Sequence, residues 1–157
     1  MSQTDYELLK KQVSQYAETE NDFVPLFSNV SALLFDALPR INWAGFYLLD
    51  KGSLLIGPFQ GKSACIRIQP GKGVCGTALL EDRVLRVRDV HEFPGHIACD
   101  AASESEIVLP LHSLSKAVAV LDIDSPEKDR FTAEDEEGLR GIAGVLSEKT
   151  DFSRLRI

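Results

Sequence analysis

The sequence predicts an α+β domain in which helices near both ends flank a central, mostly antiparallel sheet. Apolar residues recur at helical spacing only towards the two ends of the chain. Between them, from residue 42 onward, short apolar and aromatic runs alternate with glycine, proline and charged turns, as strands joined by hairpin-length connections do. At 157 residues with 44% hydrophobic content the chain is long enough for one real core and too short for two typical ones. The expectation is therefore one domain over residues 1–157.

The elements follow in order. Residues 5–17 carry Leu9, Val13 and Tyr16 at helical spacing among Lys and Gln, a weakly amphipathic helix. Asn21 and Asp22 offer an N-cap to a second helix, in which Phe23, Leu26, Phe27, Val30, Leu33 and Leu34 form a core-facing stripe. Pro25 lies in its first turn, where a missing N–H breaks no helical hydrogen bond, and Pro39 ends it near Leu38. Residues 42–49, 53–57, 65–68, 84–88, 106–111 and 117–124 read as strands, the first pair joined through Asp50-Lys51-Gly52. The segment 70–80, PGKGVCGTALL, reads as a glycine-rich turn leading into a helix of about two turns. Thr132 caps a last helix with an acidic first turn and a stripe of Leu139, Ile142, Ala143 and Leu146.

A formal net charge of −7 argues against a nucleic-acid or anionic-membrane surface, which needs clustered Lys and Arg. No apolar run is long enough to cross a bilayer, and the N-terminal MSQTDYELLKKQ lacks the apolar core of a signal peptide. A cytoplasmic location is expected, where spare cysteines are more often reactive, metal-binding or simply buried than paired structurally.

The chemistry concentrates in residues 89–111, DVHEFPGHIACDAASESEIVLPL. Here Cys99 lies among His91, His96, Asp100, Glu104 and Glu106 in a segment without helical or strand period. Phe93, Pro94, Ile97 and Ala98 give it apolar anchors, so it reads as a functional loop rather than a solvated linker. Cys65 falls at the start of the CIRI strand, and Cys75 sits in GVCG at a helix N-terminus, where the dipole favours a thiolate. Any one cysteine alone is most simply a small buried hydrophobe. Three together in polar or glycine-rich settings are not so easily dismissed. Zinc is weakly supported, because the close donor pairs are only His91 with His96 and His96 with Cys99. A Cys-His-Asp acyl-transfer triad would need His96 and Cys99, three apart in one loop, to be held in register. Redox chemistry explains why more than one thiol is present in a reducing compartment.

A second constellation is acidic. Asp122 and Asp124 stand two apart in AVAVLDIDSP, so on a strand they share a face with Val118 and Val120 and carry carboxylates to the mouth of a core. The bland alternative for Asp124 is a turn cap before Pro126. Glu106 adds a third carboxylate if its strand lies beside residues 117–124 across the HSLSK turn. Carboxylates so placed oppose each other's ionisation, and one is then held protonated as a proton donor. Trp43, the only tryptophan, either fills the core or walls a pocket.

NWAGFYLLD at 42–50, GPFQGKSACIRIQPGKGVCGTA at 57–78, the 89–111 segment and VLDIDSP at 120–126 together resemble the free methionine-(R)-sulfoxide reductases, enzymes built on a GAF domain. The likeness runs from about Phe23 to the acidic C-terminal helix, with all three cysteines in register. Ser63 before Ala64-Cys65, and Ser115-Lys116-Ala117 in the turn, depart from the family's proline and glycine-containing turn outside the reactive positions.

The resemblance implies a six-stranded antiparallel sheet and a pocket closed by loops. It implies that Cys99 is the nucleophile, Cys65 the resolving thiol and Cys75 a third thiol of less certain duty. Glu106, Asp122 and Asp124 would line the substrate site, with Trp43 facing the substrate methyl group. The expected chemistry is reduction of free L-methionine-(R)-sulfoxide without a metal or other cofactor, through a sulfenic acid and then a disulfide. A low-potential protein dithiol such as thioredoxin would reduce that disulfide. Glu106 or Asp124 would supply the proton, Asp122 would orient the site or the substrate ammonium, and a two-fold dimer is the default assembly. The rival reading is a GAF-type sensory module that binds a small ligand without catalysis; fold alone does not separate the two, and the cysteine set favours the enzyme.

Overall fold

The computed structural model describes residues 4–97 and 102–157. Helix α1 (Tyr6–Thr19) starts where the Asp5 side chain accepts a hydrogen bond from the Leu8 N–H at 3.0 Å. It buries Leu9, Val13 and Ala17, an i, i+4, i+8 stripe. Tyr16, read from the sequence as the third stripe residue, sits at its margin and is only partly buried against the core. Helix α2 (Phe23–Ala37) is capped by Asp22, whose carboxylate accepts from the Val24 N–H, and it ends at Leu38 before Pro39.

The six strands are β1 (Trp43–Asp50), β2 (Ser53–Gly61), β3 (Arg67–Ile68), β4 (Leu85–Val87), β5 (Ser105–Ser113) and β6 (Lys116–Ser125). They form one sheet in the order β3-β2-β1-β6-β5-β4, antiparallel at every junction. Two strands differ from expectation. Strand β2 runs on to Gly61, because a register shift between Gly45 and Tyr47 accommodates Pro58, which offers no ladder N–H. Strand β3 shrinks to two residues and leaves Cys65 outside it; the Cys65 carbonyl accepts a hydrogen bond from the Tyr47 hydroxyl at 3.0 Å instead of joining the sheet.

Helix α3 (Gly73–Glu81) connects β3 to β4. Helix α4 (Ala133–Lys149) begins with a reciprocal cap: the Asp135 N–H donates to Thr132 Oγ1 and the Thr132 N–H to Asp135 Oδ2. The same carboxylate pairs with buried Arg130 at 2.9 Å and accepts from the Tyr6 hydroxyl at 2.6 Å, so one capping residue also fastens α1 to α4.

Side-chain alternation divides the interior into two layers. Ala44, Phe46 and Leu48 of β1, Ile107, Leu109 and Leu111 of β5 and Ala119, Leu121 and Ile123 of β6 pack with α1, α2 and α4. The N- and C-terminal helices thus share one face of the sheet. On the opposite face Trp43, Tyr47, Val108 and Val120 pack beneath Val74, Cys75, Ala78 and Leu79 of α3. Val118, expected on that second face, belongs to the first core, beside the register shift between Leu111 and His112. None of the helices is long and apolar enough to cross a membrane, among the described residues.

Both long hairpins turn through two residues. Lys51 and Gly52 (φ 52° and 83°) join β1 to β2, whereas Leu114 and Ser115 (φ 51° and 65°) join β5 to β6. A two-residue turn with both φ positive suits Asn-Gly, and side chains without that tolerance are held there under strain. Leu114 is also 98% exposed, so its side chain returns little packing. Replacing Leu114 by Asn together with Ser115→Gly is expected to stabilise the fold by roughly 1–2 kcal/mol, read as a higher urea midpoint at unchanged slope.

Candidate active site

The second core layer becomes polar at one end. Sheet register places Trp43 of β1 opposite Asp124 of β6, and Asp124 opposite Glu106 of β5, in one lateral row. One step along the same face, Asp122 pairs with Gly45 on one side and Val108 on the other. The alternation that sends Leu121 and Ile123 into the helical layer therefore sends Asp122 and Asp124 the other way, into a pocket that Glu106, Trp43, Tyr47, Cys75, His96 and Ser103 also line. All three acids are buried, Glu106 and Asp122 at 7% and 5% exposure.

Trp43 and Tyr47 stack with centroids 5.9 Å apart, and Phe59 of β2 lies 5.1 Å from the indole at an interplanar angle of 13°. The indole N–H donates to the Lys62 carbonyl at 3.0 Å, so the tryptophan is fixed in orientation as well as buried. Gly45 makes this possible: a Cβ there would lie 2.3 Å from the Phe59 Cβ and 2.9 Å from the Pro58 carbonyl. Tyr47 and Phe59 were not singled out from the sequence. For Tyr47 a signal was available, since it lies four residues beyond Trp43 in a strand and so on the same face.

The electrostatics follow from burial and from the acids' charges on one another. Loss of water, then the charge of Asp122, pushes the Glu106 carboxyl far above its usual range. Loss of water, then the charge of Asp124, raises Asp122 to about 8. Burial and these same carboxylates also raise the Cys75 thiol and the Tyr47 phenol. This corrects the reading of Cys75 as a helix-end thiolate. It does sit in the first turn of α3, but the partial charge of a helix terminus is outweighed by desolvation and facing acids. Cys75 is a free thiol whose Sγ lies 3.9 Å from Glu106 Oε2, in the direction of a weak S–H donor bond.

Cys65 lies in the connection leading to β3 and is engaged in a disulfide. Cys99, expected as the nucleophile, lies outside the described residues with Ala98 and Asp100. His96 and Ile97 line the pocket. Burial, then the charge of His91, lowers the His96 pKa, which weakens it as a proton donor at neutral pH. The His91–His96 zinc pairing is not favoured by the geometry: the ring centroids are 6.4 Å apart and His91 Nδ1 faces Asp89 at 3.1 Å and Glu104 at 3.5 Å.

A GAF-domain family model matches residues 27–148. With its curled antiparallel sheet and the pocket on the face opposite the terminal helices, the chain is a GAF-domain protein. The free methionine-R-sulfoxide reductase of Escherichia coli is 50% identical over 98% of this chain and 96% of its own length. The fRMsr of Staphylococcus aureus, solved in complex with substrate, superposes with a TM-score of 0.90 at 50% identity, covering 96% of this chain and 99% of that one. The free methionine-R-sulfoxide reductase of Neisseria meningitidis, also solved with its substrate, gives 0.89 at 37% identity over 95% and 92%. Within the GAF proteins, the chain belongs to the free methionine-(R)-sulfoxide reductase family.

The raised carboxyls make stability depend on pH in a definite sense. A folded-state pKa above the unfolded one means that the native state binds more protons, so the contribution is whole below about 4 and is lost as pH rises towards about 8 for Asp122. Asp122→Asn should flatten this decline: urea titrations are expected to show the variant gaining stability over the parent at pH 8 and not at pH 4.

Proposed function

We propose that this protein reduces free L-methionine-(R)-sulfoxide to L-methionine, with residues 1–157 acting as one GAF-type domain. The observation that carries the reading furthest is the meeting of Trp43, Asp124 and Glu106 in one row with Asp122 beside them, within a chain half identical to named reductases. A sulfoxide oxygen leaves only when protonated, and a carboxyl kept neutral by burial is the donor that this step requires. The raised carboxyl of Glu106 suits it to that duty, which Asp124 beside it in the same row could share. An ammonium group set against Asp122 would draw its ionisation back towards the normal range, which suits a free amino acid and not a peptide-bound residue. Trp43, held by its N–H bond, offers a flat apolar wall for the S-methyl group.

In the proposed cycle the Cys99 thiolate attacks the sulfoxide sulfur. The oxygen passes to the cysteine as a sulfenic acid while methionine leaves. The Cys65 thiol then condenses with the sulfenic acid, releasing water and forming a disulfide. A dithiol such as thioredoxin reduces it by exchange and is itself oxidised. The disulfide at Cys65 and the free thiol at Cys75 support Cys65 as the resolving residue. Location in the cytoplasm and a two-fold dimer are part of the same proposal.

The test is methionine formation from the separated (R) and (S) epimers of the free sulfoxide with a thioredoxin system. Turnover of the (R) epimer alone is expected, and none of either would overturn the assignment. Cys99→Ser should abolish methionine formation, whereas Cys65→Ser should release about one methionine per enzyme and stop. Glu106→Gln should slow single turnover by roughly 10²-fold or more, the scale of general acid catalysis, with the fold intact by circular dichroism.

A further inference from the structure

We infer that Cys75, Glu106 and Asp122 form a binding site for a borderline-soft divalent cation of the Zn²⁺ class, at the bottom of the pocket. The three side chains come from α3, β5 and β6, and one donor atom of each, the sulfur and two carboxylate oxygens, lies within 4.8 Å of the others. All three residues are buried.

An independent observation points to a ligand there. Asp122 is 5% exposed, and its Oδ1 has no hydrogen-bond donor among the described residues. A buried carboxylate oxygen left without a donor is costly and is rare in folded proteins. Since Asp122 lines the pocket, a cation bound there would supply the missing partner.

Bond lengths agree with such an ion. Cys75 Sγ and Glu106 Oε2 are 3.9 Å apart; an ion bonded to both, at about 2.3 Å to sulfur and about 2.1 Å to oxygen, subtends roughly 125°, close to the tetrahedral range. The donor set selects the metal. Two carboxylates alone would suit Mg²⁺ or Ca²⁺, whereas a thiolate shifts preference to Zn²⁺ and its relatives. Charge balances without a counter-ion if the thiol and one carboxyl lose their protons to solvent and the other carboxyl binds through its carbonyl oxygen. Three protein ligands leave the fourth position facing the pocket, so the bound ion remains exchangeable. The site uses a thiol that the proposed cycle leaves idle, and an ion bound to Glu106 and Asp122 would exclude the sulfoxide from them; only that last consequence rests on the reductase reading.

Cobalt binding tests the site without reference to activity. In the double variant Cys65→Ser/Cys99→Ser, Cys75 is the sole thiol, and Co²⁺ is expected to bind at one equivalent with a thiolate-to-cobalt charge-transfer band in the near ultraviolet. Zn²⁺ should displace the cobalt and bleach the band. Adding Cys75→Ser should remove the band, and Asp122→Ala should weaken Zn²⁺ binding measured by equilibrium dialysis, with circular dichroism confirming both folds. Absence of the band in the double variant, or its persistence after Cys75→Ser, would overturn the assignment, as would Zn²⁺ binding that is indifferent to Asp122→Ala. None of these outcomes depends on whether the protein reduces methionine sulfoxide.

Discussion

The antiparallel register between β1, β6 and β5 is the constraint on which the site depends. Because Trp43 faces Asp124 and Asp124 faces Glu106, an aromatic wall and two acids occupy neighbouring positions in one row. A slip of one residue in β6 would exchange its faces, sending Asp122 and Asp124 into the helical core and Leu121 and Ile123 into the pocket. The hydrophobic layer under α1, α2 and α4 forbids that slip, since Leu121 and Ile123 are fully buried there. Helix packing on one side of the sheet thus holds polar chemistry in place on the other.

That arrangement gives the pocket its character. Acids at a protein surface ionise and repel little through water, but here water is removed before the charges meet. The acidity of the Glu106 and Asp122 carboxyls and of the Cys75 thiol is weakened together, beside a stacked aromatic floor. Burial supplies this property, and it would not survive transfer of the same residues to an open surface.

Much of this was legible in the residues. Alternation in AVAVLDIDSP announced two carboxylates on one face, and Thr132 with Asp135 announced the start of α4. What escaped depended on contacts far apart in sequence. The 65–68 strand was overextended because apolar alternation there does not reveal that a tyrosine hydroxyl eighteen residues away claims the Cys65 carbonyl. Cys75 at a helix start suggested a thiolate, since the local dipole is visible in sequence while facing acids on β5 and β6 are not. Gly57-Pro58 reads as a strand end in the sequence, because a bulge that lets proline into a ladder is set by the partner strand.

The hydrogen bond from Tyr47 to the Cys65 carbonyl joins the pocket floor to the segment that carries the disulfide. A ligand that presses on the Tyr47 ring differently in the disulfide and dithiol forms must bind those forms with unequal affinity. Thermodynamic linkage then requires the converse: occupancy of the pocket shifts the midpoint potential of the disulfide by the same free energy. For such a ligand, this one phenol would make ligand affinity and electron affinity two readings of a single equilibrium.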